Sequence, residues 1–223
     1  MPTLKHYSEH PAGIFAMARL SQAAYECAHF RDVETDTEAM TILGGLSVRG
    51  TEADLRDIRE DLRVGMRCRD DAYIHAGFLE SAEVLLPFAQ HYVKVWGSPI
   101  DLTGHSLGGA VATVLAFLMP VGDVRSLTTF GAPRAGDAAF CAEVARRCPS
   151  IVRVTNAADV VSTVPWAVTG YQHLGHRLYL TEEGHWWNPT IWERAWMRLF
   201  SGHTPLGAHS IKTYCDRLQK FGF

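Results

Sequence analysis

The segment 98–119 constrains the fold of this chain more than any other. It reads as a short buried strand over 98–103, then Gly104-His105-Ser106-Leu107-Gly108-Gly109, then an apolar helix from Ala110 to Met119 stopped by Pro120. A serine with a glycine two residues away on each side, at a strand-to-helix junction, is the pattern of a nucleophile elbow. Such a turn is too tight for side chains on its flanks, so glycine is required there. It holds the serine in a strained backbone conformation, with its hydroxyl pointing out of the top of a sheet. The helix begins at once, so the Leu107 amide and the positive helix end face any anion that forms at Ser106.

The rest of the chain supplies the sheet that this turn needs. Strand-like runs over 38–43, 46–49, 125–130, 150–156 and 177–181 alternate with helix-like runs over 10–27, 52–63, 79–96, 138–147 and 206–218. Alternation of this kind implies parallel crossovers and an α/β fold, with a mostly parallel central sheet flanked by helices. The 223 residues are read as one domain, 1–223. A net charge of −3 without Lys/Arg blocks gives no reason for a nucleic acid partner. No apolar run reaches the length of a membrane span, so no stable membrane anchor is expected. The first ten residues lack the apolar stretch of a leader, and the five scattered cysteines form no C-x-x-C pair. These features read as free thiols in a reducing compartment, and the expected location is cytoplasmic. Nothing in the sequence specifies an oligomeric state.

A serine nucleophile needs a base within hydrogen-bond reach, and the base needs an orienting carboxylate. The acids considered after Ser106 are Asp123, Asp137, Asp159, Glu182 and Glu183. Asp159 stands out because it follows a strand that should end on the same sheet edge as the elbow. Asp137 reads as a helix cap and the two glutamates as a solvated turn. Among the later histidines, His209 at the opening of the last helix and His203 on a Gly/Pro loop remain as bases, ahead of His173, His176 and His185. An oxyanion hole needs two donors: one is the Leu107 amide, and Arg49-Gly50-Thr51 is suited to supply the second. Thr51 also reads as the N-cap of a 52–62 helix, so two roles compete for its hydroxyl. That helix carries only Leu55, Ile58 and Leu62 as a thin apolar stripe among charges.

Several of these motifs recur in one order from Leu46 to Tyr214. They are Arg49-Gly50-Thr51, His75-Ala76-Gly77-Phe78, Gly104 to Gly109, Phe130-Gly131-Ala132-Pro133-Arg134-Ala135-Gly136, Asn156 with Asp159 and Pro165, and His209 with Tyr214. In this the sequence resembles the class 3 lipases. The resemblance implies an α/β-hydrolase fold, a Ser106–Asp159–His209 triad, an oxyanion hole at Thr51 and Leu107, and a lid formed by the helix after Thr51. It implies a serine carboxylic-ester hydrolase, a lipase or esterase, acting on a small-molecule ester or lipid such as an acylglycerol, with no metal and no organic cofactor. Phospholipase, acyltransferase or feruloyl-type esterase activity would use the same triad. A non-catalytic binding module on this scaffold has no need of serine, acid, histidine and oxyanion donors together. Expected substrate contacts are Leu55 and Ile58 on the lid, His105 and Val160 next to triad members, and Trp187 and Trp192. With so thin an apolar stripe, the lid has a weak drive into lipid, and esterase-like behaviour on soluble esters is expected.

The sequence departs from the pattern at the lid, where Ile58 stands at the place of a tryptophan, and over 185–200, which has no counterpart. There Asn188 and Pro189 read as the cap and first position of a helix. Its face of Ile191, Trp192, Ala195, Trp196, Leu199 and Phe200 reads first as packed on the core, and otherwise as the wall of an acyl pocket or a docking surface.

Overall fold

The computed structural model describes residues 11–50, 65–165, 167–199 and 205–223. In chain order the elements are α1 (Pro11–Ala23), β1 (Phe30–Asp32), β2 (Thr37–Ile42), β3 (Gly45–Val48), β4 (Met66–Arg69), β5 (Ala72–His75) and α2 (Ala76–Trp96). Then come β6 (Ile100–His105), α3 (Leu107–Leu118), β7 (Val124–Phe130), α4 (Ala138–Arg147), β8 (Ile151–Asn156) and β9 (His176–Leu180). The chain ends through β10 (His185–Trp187), α5 (Ile191–Leu199), α6 (Pro205–His209) and α7 (Ile211–Lys220). The main sheet runs β1-β2-β3-β6-β7-β8-β9-β10. Its central ladder from β3 to β9 is parallel, and the edges β1-β2-β3 and β9-β10 are antiparallel.

Side-chain alternation along the strands decides which helix lies on which face. Ile100 and Leu102 of β6, Leu127 of β7 and Ile151 of β8 meet α2, α3 and α4 in one buried cluster. Val152 and Val154 of β8 and Leu178 and Leu180 of β9 meet Ile14, Ala18, Tyr214 and Leu218 of α1 and α7 in another. From Leu107 to Phe117 every residue of α3 is buried, as its run of small and aliphatic residues demands. The one polar side chain there, Thr113, donates its hydroxyl to the Gly109 carbonyl at 2.8 Å, so no polar atom is stranded.

Several boundaries differ from the sequence reading. The first helix stops at Ala23, short of Cys27. The second long helix starts at Ala76 rather than Leu79 and runs through Pro87. A hairpin outside the main sheet, β4-β5, turns on Asp70 and Asp71, with φ of 51° and 63°. Two aspartates in the left-handed region lack the glycine that usually announces such a turn, so the hairpin was not anticipated. The last helix is broken at Ser210, whose ψ of 133° is extended. The helix over 52–63, with Leu55 and Ile58, lies outside the described residues, as do Thr51, Phe200 and His203.

Helix α5 is not a core element. Ile191, Trp192 and Trp196 are 67%, 81% and 66% exposed, which overturns the packed reading of that face. Its cap is Thr190, not Asn188. The Thr190 hydroxyl and the Glu193 carboxylate form a capping box, with the Thr190 amide donating to Glu193 at 2.6 Å and the Glu193 amide donating to Thr190 Oγ1 at 3.3 Å. Asn188 instead uses its side-chain oxygen to accept from the Arg177 amide at 2.7 Å, finishing the β9-β10 edge.

Candidate active site

Strand β6 delivers Ser106 to the top of the sheet, and α3 starts on the next residue. Ser106 has φ 57° and ψ −133°, a conformation that a side chain rarely adopts. Its amide is tied to the Phe130 carbonyl at 2.9 Å, which anchors the turn on the neighbouring strand. A Cβ on Gly104 would fall 2.5 Å from the Gly108 backbone, and one on Gly108 would fall 2.3 Å from the Val48 carbonyl oxygen. The two glycines are therefore there for backbone contact across the turn.

Asp159 follows β8 and His209 ends α6, and both reach Ser106. His209 Nε2 lies 2.8 Å from Ser106 Oγ, and His209 Nδ1 lies 2.9 Å from Asp159 Oδ2. Protonation on Nδ1 satisfies both contacts: Nδ1–H donates to the carboxylate and Nε2 accepts from the serine hydroxyl. The Asp159 carboxylate also accepts from the Tyr214 hydroxyl at 2.6 Å and the Val161 amide at 2.9 Å. Three donors thus converge on one fully buried carboxylate and fix its position. Ser106 is 1% and His209 8% exposed.

The segment carrying His209 is held from behind. The break at Ser210 leaves the last carbonyls of α6 without helical partners, and side chains take them. His105 Nε2 donates to the His209 carbonyl at 2.5 Å, and Asn156 Nδ2 donates to the Ala208 carbonyl at 2.8 Å. Tyr25 then donates its hydroxyl to His105 Nδ1 at 2.8 Å, and Arg217 donates to Asn156 Oδ1 at 2.9 Å. His105 is thus not a substrate contact, contrary to the sequence reading; it is buried, and both its ring nitrogens are taken up in holding the His209 backbone. Tyr25, Asn156, Tyr214 and Arg217 complete this support. Asn156 and Tyr214 were among the motif residues, but Tyr25 and Arg217 carry no sequence signal, because the contacts span 80 and 61 positions along the chain.

The remaining candidates fall elsewhere. His173 Nε2 donates to the Ser162 carbonyl at 2.8 Å, and His176 pairs with Asn188. Asp137 caps α4, accepting from the Phe140 amide at 2.9 Å, as read. Trp187 packs on the α1/α7 core cluster, and Trp192 points to solvent, so neither lines a cavity at the elbow. A cavity of about 420 Å³ does open beside Leu107 and Gly108, walled by Val48, Arg49, Phe78 and Val111. Val160 is not in that wall. Arg49, which leads into Thr51, is fixed by an ion pair with the buried Glu38 and lies over the Tyr25 ring.

Burial lowers the pKa of His105 to about 3, with the nearby His209 as a second cause. Burial, then Arg153 and Arg134, push His173 well below the usual histidine value. On unfolding, both imidazoles return to an ordinary pKa near 6.5. Below that value the unfolded chain binds protons that the folded chain refuses, so stability falls with acidification. Carboxylates held low, such as Glu143 at about 2, add to this only below about pH 4.5. The melting temperature is therefore expected to drop between about pH 6.5 and about pH 4.5. His173→Gln, which keeps a donor for the Ser162 carbonyl, should flatten that slope in a thermal-shift series; an unchanged slope would refute the assignment.

The class 3 lipase family model, "Lipase (class 3)", matches residues 45–169. Over 157 residues the chain is 34% identical to a secreted mono- and diacylglycerol lipase of Fusarium solani, covering 66% of this chain and 46% of that protein. It is 33% identical to a second secreted mono- and diacylglycerol lipase, of Gibberella zeae, over 49% of this chain and 31% of that protein. The chain thus spans less than half the length of these curated relatives. In structure it is similar to a Penicillium expansum triacylglycerol lipase, with a TM-score of 0.68, 18% identity, and coverage of 92% of this chain and 97% of that one. The fold is that of an α/β-hydrolase. The expected cytoplasmic location is overturned by these relatives, whose names mark them as secreted and point to an extracellular setting.

Proposed function

The chain belongs to the class 3 lipase family, and on that premise we propose that it hydrolyses neutral carboxylic esters, acylglycerols foremost, through an acyl-enzyme on Ser106. The observation that carries this reading is the unbroken relay from Ser106 Oγ through His209 to Asp159, with contacts of 2.8 and 2.9 Å. Ser106 attacks the ester carbonyl while His209 Nε2 takes its proton. Asp159 fixes the Nδ1–H tautomer and stabilises the imidazolium. The tetrahedral oxyanion is held by the Leu107 amide, which as the first of α3 has no helical acceptor, and by Thr51. His209 then protonates the departing alcohol, and water activated by the same imidazole releases the acid. The acyl group takes the cavity beside Leu107. His105 and Tyr25 hold the base but touch no reacting atom.

Labelling with a fluorophosphonate probe tests the nucleophile. The reading requires a covalent adduct on Ser106 that vanishes in Ser106→Ala; an unlabelled, folded wild-type chain would refute it. Thr51 is tested separately. If its hydroxyl donates to the oxyanion, Thr51→Val lowers kcat by about 10²-fold and Thr51→Ser is mild. A Thr51→Val variant with unchanged kcat and a lower melting temperature would make Thr51 a helix cap only.

A further inference from the structure

On the sheet face away from α1 and α7, the outer strands carry arginines where apolar residues would be expected. Arg153 of β8 sits directly across from Arg177 of β9, and Thr155 sits across from Tyr179. Over this patch lie the 131–136 turn with Arg134, the short helical turn Val161–Thr163 that follows Asp159, and α5 with Arg194. Between them is a cavity of about 340 Å³, lined by Arg134, Arg177, Arg194, Thr155, Tyr179 and Ser162 among others.

Among the described residues, no acid answers these four arginines. Each makes a bond to backbone at most: Arg134 to the Thr163 and Pro165 carbonyls, Arg153 to Leu174 and Arg194 to Pro189. None is ion-paired with a carboxylate among the described residues. Asp159 belongs to the cavity wall, but its oxygens are taken by His209, Tyr214 and Val161. Arg177 Nε, Arg153 Nη1 and Thr155 Oγ1 are buried with no hydrogen-bond partner. Buried donors without acceptors and like charges across a strand pair both cost stability, and neither pattern survives without something to offset it. The same repulsion shows in the ionisation. Burial and then neighbouring arginines bring Arg153 down to about 9 and Arg177 to about 10, so both stay charged at neutral pH.

We propose that this cavity is a binding site for a phosphate group. Guanidinium forks match phosphate oxygens in pairs, and a dianion offsets charge that a monovalent carboxylate would leave largely unbalanced. The cavity is larger than one oxyanion, and Ile191 and Ala195 of α5 give it an apolar side. That leaves room for an organic group attached to the phosphate. The phosphate is either free in solution or the head group of a lipid, and the two sources give different results below. Ser106 does not line this cavity, although Asp159 does, and the proposal does not depend on the ester reading.

Calorimetric titration of the full chain with inorganic phosphate, and of the Ser106→Ala chain with a short-chain phosphatidic acid below its micelle concentration, tests it. Saturable binding is expected, weakened at least about 10-fold in Arg177→Gln and in Arg194→Gln. Both variants should melt no lower than wild type in phosphate-free buffer, because neutralising one of four like charges relieves repulsion. Phosphate should raise the melting temperature of wild type and of neither variant to the same degree. Tighter binding of phosphatidic acid than of phosphate assigns the head group; equal binding assigns free phosphate. Absence of binding by both ligands, or binding that is unchanged in both variants, overturns the proposal. So does a fall in melting temperature in both variants, which would make the arginines structural.

Discussion

Ser106→Ala and His209→Ala are each expected to lower kcat on a soluble ester by about 10⁴-fold or more, and the double variant by no more than either alone. The reason is the geometry of a relay. Ser106 Oγ is activated only through His209 Nε2 at 2.8 Å, so removing either end removes the same proton transfer. Asp159→Asn should cost a comparable factor with the fold intact, because an amide in place of Oδ2 favours the wrong imidazole tautomer. Tyr214→Phe removes one of the three donors on Asp159 and leaves the His209 contact, so a much smaller loss is expected. Steady-state rates on a water-soluble butyrate ester, with melting temperatures measured alongside, separate lost chemistry from lost structure. His203→Ala should retain activity. If it abolished turnover of a folded protein while His209→Ala did not, the base would be misassigned.

The parts of the fold that were legible in the sequence are those where one residue type has one physical use. Gly104 and Gly108 around Ser106, the all-apolar α3 and the Asp137 cap each carry a local signal strong enough to stand alone. Asp159 stood out by its place after a strand, while His209 was singled out from His203 mainly by the family resemblance; the structure brings both to Ser106. The support of His209 was not. His105 looked like a substrate contact because it adjoins Ser106, yet its ring turns back to a carbonyl 104 residues away. Only the break at Ser210 exposes that carbonyl, and no residue there announces a break. Helix α5 failed for the opposite reason. Its tryptophans have the spacing of a buried face, but a Thr-Glu capping box and the apolar stripe specify a helix, not what covers it. The arginines of β8 and β9 were invisible as a group because strand pairing, not sequence proximity, places Arg153 beside Arg177.

Gly131→Ala is expected to cost activity far beyond its cost in stability. Gly131 has φ +59°, and a Cβ there would stand 2.5 Å from Asp159 Oδ2, 3.0 Å from the Tyr214 hydroxyl and 3.1 Å from His209 Nδ1. A methyl group would thus enter the point where the acid meets the base and its phenol donor. The backbone alone tolerates alanine in the left-handed region at a cost of about 1 kcal/mol. The contact with Oδ2 cannot be tolerated without moving the carboxylate, since two of its neighbours are fixed on α6 and α7. Displacing Asp159 withdraws its hold on Nδ1–H, so kcat should fall by on the order of 10² to 10⁴-fold, approaching the loss of the acid itself. Gly97 provides the control. It caps α2 with φ +72° and nothing within 4 Å of its Cβ position, so Gly97→Ala carries the same backbone strain without the collision. Gly131→Ala should melt lower than Gly97→Ala, because the buried carboxylate must also move, and the two rates should differ far more than the two melting temperatures do. Equal rates would mean that Asp159 does not govern His209, and the triad geometry would lose its claim on the mechanism.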